Sequence, residues 1–410
     1  KARKHCSWTT DMSNLRFVGL MFFDSTYENG VQHNLYTLLL LVSGLCSLAM
    51  IPLVTHEFDD WSEVLSISFS ALTNAAAALG TVISSLIVFY NMKHKYKKYK
   101  ITLESFQIYI PMDTDSWNRI KCFSYSSIIF SVIIIVPVNG LKLWNIFNNH
   151  EKPFLMTTFI LLYYIQNLSS CFSELHFAIQ CFVVHSNFRG INEELKILNV
   201  ELNHKHNKKY SWTEYESPAV AVNDNNTMSS SVIVYEKDFY SSKQRGCPMA
   251  NIVELLRIKH WLTREAVNDL NDLFGVTMGL SMMNILIVTL FDVYSEVLHA
   301  YTSGLEERTT FRSIAMFIIW MMQHFFRFLI IVVTAHNTTK QALETKKIVA
   351  EMTNRFLDVK TKEELHIFHN QLSISSIQFT ICETFALNNN LFTSVSSYRK
   401  FFKINKIACP

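Results

Sequence analysis

Arg327 stands alone in "FIIWMMQHFFRFLIIVVT", which holds no other Lys or Arg and no carboxylate. A guanidinium does not give up its proton, so in apolar surroundings it must find a counter-charge or reach water. Glu174, in "LLYYIQNLSSCFSELHFAIQCFVV", is the nearest partner by depth, and a charge at that depth is a candidate functional group. The competing reading lets Arg327 snorkel to the inner headgroups. A second set mixes aromatic faces with a few amides, the chemistry of a small-molecule pocket: Asn74, Tyr163, Tyr164, Gln166, Trp320 and Gln323. Ordinary packing residues look the same in a sequence. Covalent or metal chemistry has no support. There is no phosphate loop, Cys-x-x-Cys, His-Glu-x-x-His or Gly-x-Ser-x-Gly. His204-x-His206 falls in a polar stretch and reads as solvated loop. The expectation is no enzyme, no cofactor and no resident metal.

The elements that must position these residues are long and apolar. The chain has 410 residues, 49% hydrophobic and 17% charged, with a net charge of only +3. Soluble domains carry about 25% charged residues, and +3 gives no case for nucleic acid. A bilayer-spanning helix needs about 20 mostly apolar residues. Six stretches qualify: Leu35–Val54, Val64–Tyr90, Cys122–Leu141, Phe154–Val184, Phe274–Val297 and Ile314–Thr334. A weaker seventh covers Leu372–Ser397. This predicts an all-α membrane protein of seven transmembrane helices. No secretory signal is visible in the mixed, polar stretch from Lys1 to Asn34, and a start at Lys1 rather than Met leaves the N-terminus open.

Lys and Arg alternate between loops. They are dense before the first span, in "KHKYKKYK", between the fourth and fifth spans and after the sixth, and sparse elsewhere. The positive-inside rule then predicts a cytoplasmic N-terminus (1–34) and an extracellular C-terminus. That is the reverse of a G-protein-coupled receptor. No cysteine falls in the predicted outer loops, and the sequons at Asn225 and Asn337 land inside and read as unused. Asp292 and Glu296 are expected near the outer end of the fifth span, in contact with water.

The predicted cytoplasmic segments carry apolar stripes at helical spacing: Ile191, Leu195, Leu198 and Leu202, then Ile252, Leu255, Leu262, Val267, Leu270 and Leu273, then Leu343, Ile348, Met352, Phe356, Leu365, Phe368 and Leu372. They predict membrane helices running on into a cytoplasmic anchor bundle, with helices lying on the membrane surface as the alternative. The expected organisation is helices one to four with their extension over 35–203, a flexible insertion at 204–250, helices five to seven with the anchor over 251–397, and a basic tail at 398–410.

Two motifs carry a resemblance. "LLRIKHWLTREAVNDLNDLFG", with Leu256, Arg257, His260, Leu262, Asn271, Phe274 and Gly275, resembles the entry to the fifth span of insect gustatory receptors. "FTICETFALNNN", with Phe379, Thr380, Cys382, Phe385, Leu387 and Asn388, resembles the same family's entry to its seventh span. The resemblance implies a ligand-gated, non-selective cation channel subunit related to insect odorant receptors. It implies a homo- or hetero-tetramer around one pore, gated by a small-molecule tastant, in the plasma membrane of a sensory dendrite. It also implies a pore wall at Asn388, Asn390, Leu391, Ser394 and Val395, with "LNNN" as a break between two half-helices. Wet or protein-covered sites tolerate such irregular backbone.

The ending departs from that family. "SSYRKFFKINKIACP" places Arg399, Lys400, Lys403 and Lys406 where a Thr-Tyr, aliphatic and Gln-Phe ending is expected, and each basic residue at mid-bilayer costs about 3 kcal/mol. The tail is expected not to be the original end of a working subunit. This leaves a non-conducting or modulatory subunit as one alternative, a divergent basic tail as another, and a G-protein-coupled receptor or secondary transporter as readings from other classes.

Overall fold

The computed structural model describes residues 30–57, 75–84, 86–87, 95, 98–99, 101–102, 114–149, 153–211, 249–302, 307–355, 357–374, 377–381 and 385–387. Its helices are α1 (Gly30–Glu57), α2 (Thr114–Asn149), α3 (Pro153–Ser211), α4 (Met249–Thr302), α5 (Glu307–Thr353) and α6 (Val359–Ile374). A short apolar helix, Ala75–Ser84, lies between α1 and α2. Among the described residues, four helices are long and apolar enough to cross a bilayer. α3 has 59 residues, about 88 Å at 1.5 Å per residue. That is nearly three times a hydrocarbon core, so it must leave the membrane, as the stripes require. It also runs on to Ser211, into the stretch read from sequence as an insertion.

α3 is the central column, packed by α1, α2, α4 and α5. Its apolar face continues past the membrane stretch through Phe188, Ile191, Leu195 and Leu198, all buried against Val253, Leu256, Val267 and Leu270 of α4 and Ile348, Val349 and Met352 of α5. Polar cross-links set the register there. Asn192 donates to the Gln341 carbonyl at 2.9 Å and accepts from Thr345 at 2.6 Å. Lys259 meets Glu194 at 2.9 Å.

α5 ends at a turn, and α6 starts where Asp358 caps it. The Thr361 amide donates to Asp358 Oδ2 at 3.0 Å, the usual way an orphan first-turn N–H is satisfied. α6 then buries Leu365, Phe368 and Leu372 against the same core. At the other end of the bundle, Gly44 of α1 abuts Ala75–Ser84. A Cβ there would lie 2.6 Å from Val82 Cγ2, so the two helices meet at a contact only glycine permits.

The seventh stretch, Leu372–Ser397, differs from expectation. α6 stops at Ile374, and the chain then forms two two-residue strands, β1 (Thr380–Ile381) and β2 (Phe385–Ala386), paired antiparallel with Thr380 opposite Ala386. The break therefore begins ahead of "LNNN". The run that follows α6 has β-branched and aromatic residues, and the Asn271 side chain of α4 supplies hydrogen-bond partners for its backbone, so its ladder forms outside any helix.

Candidate functional site

Arg327 and Glu174 do pair. Both side chains are almost fully buried, at 2% and 1% exposure, with Arg327 Nη2 to Glu174 Oε1 at 2.6 Å and Arg327 Nε to Oε2 at 2.7 Å. The pair is bidentate, the geometry in which guanidinium and carboxylate match best. Asn167 Oδ1 accepts from Arg327 Nη1, and the Ser281 hydroxyl donates to Glu174. One network thus joins α3, α4 and α5. The snorkelling alternative is excluded. Sequence reasoning found the charges but missed Asn167 and Ser281, since an uncharged amide or hydroxyl in a helix gives no signal of its own.

About two turns along α3 and α5 from this network lies an aromatic cluster. Tyr163, Tyr164 and Trp320 are buried together with Ala77 and Val138. Trp320 sits 6.5 Å from the Tyr163 ring and 6.2 Å from Tyr164, centroid to centroid, and His324 meets its edge at 4.9 Å. Trp320 Nε1 donates to Asp292 Oδ2 at 2.6 Å. Asp292, expected to face water, is thus a partly buried member of the cluster, because an indole N–H buried this deep requires an acceptor. Gln166 donates to the Ser43 carbonyl of α1 at 3.2 Å. Gln166 Oε1 and both amide atoms of Gln323 are buried and make no hydrogen bond among the described residues. Five of the six pocket candidates therefore lie on two facing helices. Asn74 falls outside the described residues.

The motif residues converge at the opposite end. Arg257 faces Glu364 of α6 at 3.5 Å. His260 is packed between Phe188, at 5.3 Å, and Phe368, at 5.6 Å. It lies outside the apolar stretch, among Lys259, Arg264 and Glu265. Burial, then the nearby Arg264, pushes its pKa down to about 3. Phe274 meets Phe177 and the edge of His176. Gly275 is buried beside it. Phe379, 1% exposed, meets Phe177 edge-on at 5.9 Å. Asn271 donates to the Gln378 carbonyl at 2.9 Å and accepts from the Thr380 amide at 3.3 Å. Leu387 is buried and its amide donates to the Phe379 carbonyl at 2.8 Å. Asp269 of α4 accepts from Lys98 at 2.6 Å and from Thr102 at 2.9 Å. The Lys98 bond raises that ammonium's pKa. Phe385 contributes backbone to β2. Cys382, Asn388, Asn390, Leu391, Ser394, Val395 and the basic tail lie outside the described residues. No group of His, Cys, Asp and Glu suited to a metal occurs among the described residues.

Residues 14–398 match the 7tm Chemosensory receptor family. The chain belongs to that family. It is an all-α membrane protein and not an enzyme. Its fold is similar to that of the insect olfactory receptor OR5 from Machilis hrabei, with a TM-score of 0.51 at 8% identity, covering 92% of this chain and 90% of that one. The same receptor in complex with eugenol gives a TM-score of 0.52 at 8% identity, covering 91% and 88%. No curated protein matches this chain. At such identity the likeness carries the fold alone, and this receptor's chemistry must be read from its own side chains.

Proposed function

We propose that this chemosensory receptor is of the gustatory type: a subunit of a ligand-gated, non-selective cation channel opened by a small-molecule tastant. The buried cluster of Tyr163, Tyr164, Trp320 and Asp292, flanked by Gln166 and Gln323, carries this reading. It offers apolar faces with a few fixed polar groups inside a helix bundle, as ligand sites do. The complex of the similar olfactory receptor with eugenol supports a small organic ligand, and the Arg257-to-Gly275 and Phe379-to-Leu387 motifs support the gustatory type. In this reading the N-terminus and the α6 end are cytoplasmic, the receptor resides in the plasma membrane of a sensory dendrite, and four subunits, identical or mixed, surround a pore lined from Asn388 to Val395.

The assembly has support in the anchor. Ile197, Val200, Leu343 and Val359 lie beyond the apolar stretches and remain exposed, as does Ile374 at the end of α6, Val359 and Ile374 by more than four-fifths. Neighbouring subunits would cover them.

The test is tastant-evoked cation current in cells with G-protein signalling blocked. Current that persists supports the channel, and current that disappears assigns the chain to another mechanism. In the same cells, Trp320→Ala is expected to raise the half-activating concentration by about tenfold, equal to about 1.4 kcal/mol of binding, at unchanged surface abundance. An unaltered concentration dependence would remove the aromatic cluster from the ligand site.

A further inference from the structure

We propose that Asn271 is a positioning residue for the segment that follows Leu387: its side-chain amide stands in for a neighbouring β-strand and pins the extended stretch at Phe379 to α4. The proposal rests on reading that segment as the pore wall.

The hydrogen-bond directions carry it. In an extended chain, the carbonyl of one residue and the amide two residues on face the same edge, and the carbonyl between them faces the opposite edge. The Gln378 carbonyl and the Thr380 amide both go to Asn271, at 2.9 and 3.3 Å. The Phe379 carbonyl between them accepts from the Leu387 amide at 2.8 Å, on the β2 side. The stretch from Gln378 to Thr380 is thus flanked on one edge by its own hairpin and on the other by a single side chain. A primary amide presents one donor and one acceptor side by side, the pattern of a strand's backbone. An isolated two-stranded hairpin is marginal at best, so β1 and β2 depend on this outside partner and on Phe379 seated against Phe177.

The same turn of α4 is tied on another side. Asp269 holds Lys98 and Thr102, and the Asp272 carbonyl accepts from Lys95 at 3.3 Å. Phe274, in the next turn, touches His176 and Phe177 of α3. Residues 269–274 are where the segment around Lys98, α3 and the hairpin meet. A shift of α4 driven from the aromatic cluster would therefore reach the chain at Leu387 through the Asn271 amide.

Substitution by aspartate isolates the donor. The ionised carboxylate of Asn271→Asp keeps the acceptor for Thr380 but turns a negative oxygen toward the Gln378 carbonyl. Once protonated, the same carboxyl regains an O–H donor and again matches the amide it replaced. The full chain in lipid nanodiscs, with Asn271→Asp and Asn271→Ala, would be followed by hydrogen exchange over 377–387 at pH 7.5 and pH 4.5, corrected for intrinsic rates. Wild type and Asn271→Ala control for titration of Asp269, Asp272, Glu265, His176 and the lysines nearby.

At pH 7.5 both variants are expected to exchange about tenfold faster in 377–387, the scale of one or two net hydrogen bonds, with 249–268 unchanged. At pH 4.5 Asn271→Asp is expected to return toward wild type while Asn271→Ala does not. Wild-type protection in both variants at pH 7.5, equal behaviour of the two at pH 4.5, or loss spread evenly over 249–268 would each overturn the proposal. In cells where wild type conducts, Asn271→Asp is expected to lower current per surface copy, and unchanged current overturns the role at the pore even if exchange rises. A wild type that carries no current refutes the pore reading instead, and the exchange result still decides whether Asn271 positions the extended stretch at Phe379.

Discussion

Taking the carboxylate from Glu174 would strand a guanidinium that no water reaches. Breaking a buried pair from one side costs about 3–5 kcal/mol, whereas replacing both charges with apolar groups is often near neutral. Glu174→Ala is therefore expected to lose most of its surface protein and to melt early in detergent. Glu174→Met with Arg327→Met should recover much of the loss, and a double variant as poor as the single would show that the pair contributes more than mutual neutralisation. His260 gives a pH prediction of definite sign. Its folded pKa, about 3, lies below the unfolded value near 6.5, so the unfolded chain binds more protons between those limits. Stability is full above about pH 6.5 and falls as pH drops toward 3, by up to about 1.4 kcal/mol per pH unit. Thermal melts of wild type should decline with acid in that window, and His260→Leu should flatten the decline. Equal slopes would place the acid sensitivity elsewhere.

Helix ends and helix contacts decide the next scale. Asp358→Ala removes the acceptor for the Thr361 amide, a loss of about 0.5–2 kcal/mol. Because α6 is a short helix of 16 residues, amide exchange in 359–374 should rise before that in α3 or α4. Gly44→Leu would push Val82 aside and part α1 from Ala75–Ser84. A cysteine pair placed across that contact should then cross-link more slowly than in the glycine background, and unchanged cross-linking would mean the helices can yield. Helix existence was legible at this scale, since α1 to α5 each contain an expected apolar stretch. The strand pair was not, because its partners come from Asn271, more than a hundred positions earlier in the chain, and no local periodicity encodes them.

The whole molecule is a bundle whose buried apolar face runs on from the membrane stretch into an extension that still exposes Val359 and Ile374, and its assembly should follow from that. Val359→Glu with Ile374→Glu places charge on the exposed anchor face. If four subunits assemble as proposed, native mass spectrometry is expected to show fewer tetramers with the monomer fold intact, whereas full tetramer would move the subunit contact elsewhere and leave the membrane-surface reading of these residues. The sequence by itself determined the class of protein. Apolar runs longer than a soluble helix needs, and stripes that continue past them, can be satisfied only by a bilayer and a packed extension, and both are properties of contiguous residues. It also identified Arg327 and Glu174, because a charge in hydrocarbon admits few solutions. Tertiary structure alone decided that Asp292 serves Trp320, that Asn167 and Ser281 complete the ion pair, and that Asn271 holds the strand edge at Gln378 and Thr380. Those partners lie on different helices, and their meeting depends on helix rotation and register, which are set by the packing of the whole bundle.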